Sequence, residues 1–113
     1  MDKLHDIDAF CINGNLPDEY VDEMVAFFKI LGDETRIRIL HVLSHGELCV
    51  TDLVEAVDLS QSSVSHQLRL LRLNGLVKAR REGRNIYYAL DDNHVTDIFI
   101  TSLRHVAHKF ENH

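Results

Sequence analysis

The 113-residue chain has only two cysteines, Cys11 and Cys49, too few for a disulfide framework. It has no apolar run long enough to span a bilayer, so no membrane partner is expected. Its first residues are acidic and lack the basic start and apolar core of a secretion signal. The expected location is therefore the cytoplasm. Internal repeats, low-complexity stretches and linkers are absent as well. There is no nucleophile elbow, no phosphate-binding loop and no separate substrate domain, which leaves enzymatic chemistry little support. Positive charge is scarce overall. The net charge of −6 argues, taken alone, against a nucleic-acid partner.

That average hides an asymmetry. Residues 1–24 carry Asp2, Asp6, Asp8, Asp18, Glu19, Asp22 and Glu23 against Lys3. Residues 61–90 carry Arg69, Arg72, Lys78, Arg80, Arg81 and Arg84 against Glu82 alone. A basic block of this kind is the footprint a phosphate backbone requires, although a solvated face would look similar. With 45% hydrophobic and 27% charged residues, the chain has an ordinary globular composition of one-domain size.

The periodicity predicts a mobile arm over 1–15, then a single domain over 16–113. Asn13-Gly14-Asn15 is a turn signal. Pro17 suits a first helical position, and Tyr20, Val21, Met24, Val25, Phe28 and Leu31 recur at helical spacing up to Gly32. Asp33 can cap a second helix carrying Ile37, Leu40 and Leu43. Thr51 looks like the cap of a third, with Leu53, Val54 and Val57 inward. Ser60 caps a fourth, which Gly75 ends. Leu76–Arg81 and Asn85–Leu90 form two strands with Glu82-Gly83-Arg84 between them. Asp91 or Asp92 caps a last helix reaching about Phe110. The fold class is mainly α with a small β-hairpin.

The fourth helix divides into two stripes. Val64, Leu68 and Leu71 form a core stripe, and Ser62, Ser65, His66, Arg69 and Arg72 lie opposite. Two short helices with small polar and basic groups facing outward on the second match a helix-turn-helix. Gln61, Ser62, Ser63, Ser65 and His66 stand at the end that meets base edges in this motif. Arg69 and Arg72 suit phosphates. Lys78, Arg80, Arg81 and Arg84 add a basic ribbon tip.

Three segments carry a specific resemblance: Glu47–Leu53, Leu59–Leu68 with its Ser-Val-Ser-His-Gln-Leu run, and Gly83–Tyr88. Over about residues 20–110 the chain resembles the ArsR/SmtB family of winged-helix metalloregulators. The resemblance implies a homodimeric repressor that holds operator DNA without metal and releases it when metal binds. It also implies operator contacts at Gln61, Ser62, Ser65 and His66.

The last helix carries the candidate metal ligands. His94, His105 and His108 share one stripe on a helical wheel, apart from the apolar stripe of Val95, Phe99, Val106 and Phe110. His94 and His105 are nonetheless about 16 Å apart along the axis. One ion needs every ligand within about 2.2 Å. Two antiparallel copies resolve this, with Asp92 and His94 of one chain meeting His105 and His108 of the other. The family resemblance places a site at these same four positions. One carboxylate and three imidazoles suit zinc, with cobalt, nickel and cadmium as alternatives. A second, weaker candidate site combines His5, Cys11, Cys49 and Asp52. Here the chain departs from thiolate-rich relatives, because Thr51 stands where a second cysteine often sits. A metal-independent repressor of the same fold and a metal-buffering protein are the alternative readings.

Overall fold

The computed structural model describes residues 13–111, so the candidate donors His5 and Cys11, and most of the expected arm, lie outside the described residues. The described residues fall into two compact units, divided between Gly32 and Asp33. In the first, α1 spans Asp18–Leu31. Pro17 stands at its N-cap position, one residue earlier than the sequence pattern suggests. Asp18 and Glu19 in the first turn and Lys29 in the last complement the helix dipole. The periodic set Tyr20, Val21, Met24, Val25 and Phe28 is exposed throughout, and α1 buries no residue.

The second unit opens with α2, Glu34–Leu43, capped as expected by the Asp33 carboxylate, which accepts the Arg36 N–H at 3.0 Å. Its buried stripe is Ile39, Leu40 and Leu43. Ile37, expected inward, is 44% exposed. It lies about 110° around the helix from the middle of that stripe, on its margin.

A two-residue strand, β1 (Leu48–Cys49), precedes α3 (Val50–Val57). The helix starts directly from the strand. Cys49 is therefore the N-cap, without a side-chain cap bond, and Thr51 falls inside the first turn instead of capping it. Only Leu53 of α3 is fully buried; Val54 and Val57 are half-buried. Asp58 closes α3 in a left-handed conformation (φ 54°, ψ 50°), which aspartate tolerates better than most residues.

Ser60 then caps α4, Gln61–Leu73, accepting the Ser63 N–H at 3.1 Å. Val64, Leu68 and Leu71 are buried, as the periodicity requires. Gly75 (φ 74°) ends the helix. Its N–H reaches the Arg72 carbonyl at 3.2 Å, and the Leu76 N–H reaches that of Leu71 at 2.9 Å. These two bonds form a Schellman motif, whose left-handed residue favours glycine.

The strands β2 (Val77–Glu82) and β3 (Asn85–Leu90) pair antiparallel, and the sheet order is β1-β3-β2. The expected two-stranded hairpin thus gains a third, short strand through Leu48↔Tyr88 and Cys49↔Tyr87. Glu82 pairs with Asn85, which shortens the connection to Gly83-Arg84. Gly83 at φ 62° is the first of these two turn residues, where positive φ favours glycine. Finally α5 runs from Asn93 to Glu111 and buries only Val95. The outcome is a winged helix-turn-helix, mainly helical, with a small antiparallel sheet.

Leu68→Ala removes a fully packed side chain and should cost about 2–5 kcal/mol. Asp33→Ala removes a helix cap and should cost about 1 kcal/mol. Urea unfolding measures both. A Leu68→Ala protein as stable as the parent would contradict this core.

Candidate DNA-reading surface and metal donors

The buried stripe of α4 fixes which side chains face outward. With Val64, Leu68 and Leu71 in the core, Gln61, Ser62, Ser63, Ser65, His66, Arg69 and Arg72 are all exposed. The helix thus presents a largely polar and basic face, with the exposed Leu73 at its C-terminal end. Ser63 contributes its backbone N–H to the cap, and the Ser62 and Ser60 hydroxyls lie 3.2 Å apart. Gln67, in the same motif, is turned away from this face. Its side-chain oxygen accepts the Arg36 Nε–H at 3.0 Å and ties α4 to α2.

The wing supplies Lys78, Arg80, Arg81 and Arg84, all exposed. Arg80 differs from the other three. Its Nε donates to Glu47 Oε2 at 3.0 Å, and its Nη1 pairs with Glu82 at 2.8 Å. Its guanidinium also lies 5.0 Å from the ring centre of Tyr87, its direct cross-strand partner. The bond from Arg80 holds the Glu47 carboxyl below its ordinary range. Among the described residues, Lys78, Arg81 and Arg84 take part in no ion pair. Glu47 is 33 residues from Arg80, and sequence patterns carry no signal for that bond.

The metal candidates fall into separated groups. Asp92 and His94 stand at the start of α5, and His105 and His108 in its C-terminal half, all four exposed. The helix is continuous, so the two pairs remain about 16 Å apart. Among the described residues, no group of three or more metal-binding side chains comes together. Asp92 proves to be the cap of α5: Oδ1 accepts the Val95 N–H at 2.9 Å. Oδ2 stays available and lies 3.6 Å from His94 Nδ1. Two ligands of a tetrahedral ion with bonds of about 2.1 Å are separated by about 3.4 Å. Asp92 and His94 therefore already approximate one edge of such a site. In the second candidate set, the Cys49 thiol donates to Asp52 Oδ2 at 3.2 Å, which brings two of its four members together.

The cap bond from Val95, and then the charge of His94, lower the Asp92 pKa from its ordinary 3.8. A depressed carboxylate pKa stabilises the fold fully above the unfolded value and stops doing so as pH falls through the folded one. A carboxyl NMR titration should therefore place the Asp92 midpoint below 3.8, the ordinary value. His94→Ala should raise it only in part, because the Val95 bond remains. A midpoint at or above the ordinary value would contradict the cap.

Comparison with known proteins agrees with the winged helix-turn-helix fold. Residues 33–79 match the sequence model described as bacterial regulatory protein, arsR family. The chain is 49% identical over 81 residues to the transcriptional repressor SmtB homolog of Synechocystis sp., covering 72% of this chain and 61% of that protein. It is 43% identical over 84 residues to the cadmium resistance transcriptional regulatory protein CadC homolog of Staphylococcus aureus, covering 74% of this chain and 69% of that protein. A homodimeric winged helix-turn-helix DNA-binding domain from Mycobacterium bovis superposes with a TM-score of 0.80 at 28% identity, covering 90% of this chain and 96% of that one. The chain belongs to the ArsR/SmtB family of winged helix-turn-helix regulators, which are not enzymes.

Proposed function

We propose that the protein is a metal-responsive transcriptional repressor that works as a homodimer. The observation that carries this reading is the division of donors along α5. Asp92 and His94 are paired at one end, and His105 and His108 sit at the other. Two copies packed antiparallel along this helix would bring one chain's Asp92 and His94 to the partner's His105 and His108, twice per dimer. The uncovered apolar side chains of α5, Leu103, Val106 and Phe110, support an association along it. So does the homodimer of the Mycobacterium bovis neighbour.

The donor set suits zinc, with cobalt, nickel and cadmium as alternatives. When bound, the ion would supply a tetrahedral link between the two chains. Asp92 would offer only Oδ2, since Oδ1 holds the helix cap. Cys49 and Asp52 form a second candidate pair, to be completed by His5 and Cys11.

Operator DNA would meet the outward face of α4. Gln61, Ser62, Ser63, Ser65 and His66 would face base edges, and Arg69 and Arg72 the phosphates. On the wing, Lys78, Arg81 and Arg84 would reach the backbone, while Arg80, engaged by Glu47, Glu82 and Tyr87, would brace the ribbon. Because metal and DNA favour different dimer arrangements, each weakens the other by the same coupling free energy.

Operator titration with and without zinc tests the repressor reading, with looser binding expected in zinc and no change in His105→Ala. Equal affinity in both states would overturn it. Arg84→Ala should reduce the salt slope of operator binding by about 1, and Arg80→Ala by less. Equal slope changes would contradict the bracing role. Cobalt should give tetrahedral bands without thiolate charge transfer. A charge-transfer band would instead assign the first ion to the cysteine set.

A further inference from the structure

A pair of histidines outside both candidate sets, His41 and His45, brings two ring nitrogens into contact. His41 lies in the last turn of α2, and His45 follows in the turn after it. Both are exposed. Their four-residue spacing puts them on one face, and the two rings approach through their outer nitrogens. Nε2 of His41 and Nε2 of His45 are 3.4 Å apart. The ring centres are farther apart, at 5.0 Å, so the nitrogens are directed towards each other.

These distances match a specific coordination geometry. For a tetrahedral ion with bonds of about 2.05 Å to nitrogen, two ligands stand about 3.4 Å apart. If each ring points straight at the ion, the ring centres are then about 5.3 Å apart. Both values are close to those observed. A square-planar ion needs right angles and a shorter spacing of about 2.9 Å, which fits less well. The His41 ring is also held in place. It stacks on Phe99 of α5 at a centroid distance of 6.3 Å and an interplanar angle of 30°. Arg38, one turn earlier, is paired with Glu34 at 3.2 Å.

We propose that His41 and His45 form a further, separate cation site, which takes a tetrahedral, imidazole-seeking divalent ion such as zinc through both Nε2 atoms. Each ring binds as the neutral tautomer protonated at Nδ1; the ring that donated the shared proton releases it from Nε2 to solvent and takes one up at Nδ1, so the pair keeps its two ring protons. No third side chain among the described residues completes the set, so water fills the remaining positions. The site is therefore weaker and more open than one with four protein ligands. It lies within one chain and is independent of the α5 donor pairs.

The test uses the full chain carrying His105→Ala and His108→Ala, which removes the α5 set without touching this one. Zinc is added while the imidazole nitrogens are followed by ¹H–¹⁵N NMR. The expected result is that Nε2 of His41 and of His45 shift together. Adding His45→Gln should weaken the response of His41 at least about tenfold, because one half of the chelate is gone. His45 is exposed, so this variant should melt with its parent. His41→Gln, followed at His45, provides the reciprocal measurement. If zinc shifts neither ring, or if His41 responds equally in the His45→Gln protein, the site does not exist. Either result leaves the operator response of the intact chain unaffected.

Discussion

A helix advances about 1.5 Å per residue and cannot fold back on itself. The proposed metal chemistry depends on that constraint. In α5, nineteen residues run without interruption from Asn93 to Glu111. The donors at its two ends are thus held apart by the same backbone hydrogen bonds that make it a helix. Asp92 adds to this rigidity by capping the helix with one oxygen, which leaves the other for His94 or an ion. A four-ligand site from these residues has to be completed by a second chain. In the proposed dimer, metal binding is consequently a statement about how two chains are arranged.

The reading helix is rigid for a different reason. It is locked by Val64, Leu68 and Leu71 below, by the Ser60 cap at one end and by the Gly75 Schellman motif at the other. Arg36 and Gln67 join it to α2, and Arg80 fastens the wing to Glu47. A body built this way moves as a unit. A change in spacing imposed along α5 would therefore reach both recognition helices of a dimer as a rigid-body displacement. Coupling of this kind requires differential contacts in two arrangements, not a wire of residues between the sites.

Much of this was legible in the sequence because it rests on local chemistry. Ser60, the Val64-Leu68-Leu71 spacing and Gly75 define α4 in the sequence itself, and Gly83 marks the turn of the wing. What escaped depends on distant partners. β1 is two residues long and exists only because Tyr87 and Tyr88 pair with it. The helix α3 follows it directly at Val50, which makes Cys49 the N-cap and leaves Thr51 without a capping role. The choice of Ile39 over Ile37 for the core follows from where the other helices sit, which periodicity alone does not give. In the sequence Arg80 is one of four basic ribbon residues, and its contacts with Glu47, Glu82 and Tyr87 belong to the folded structure alone. The spacing of His41 and His45 was visible in the sequence, but the direction of their nitrogens was not.

Mixed dimers test most directly whether the α5 site is shared between chains. One chain carries Asp92→Ala and His94→Ala, the other His105→Ala and His108→Ala, both with His45→Gln and Cys49→Ala to silence the histidine pair and the cysteine set. Each protein alone should bind no zinc tightly. After subunit exchange, only mixed dimers hold a complete site, so random mixing should restore about one tight ion per four chains. Tight binding by either parent alone, or none in the mixture, would contradict the shared site.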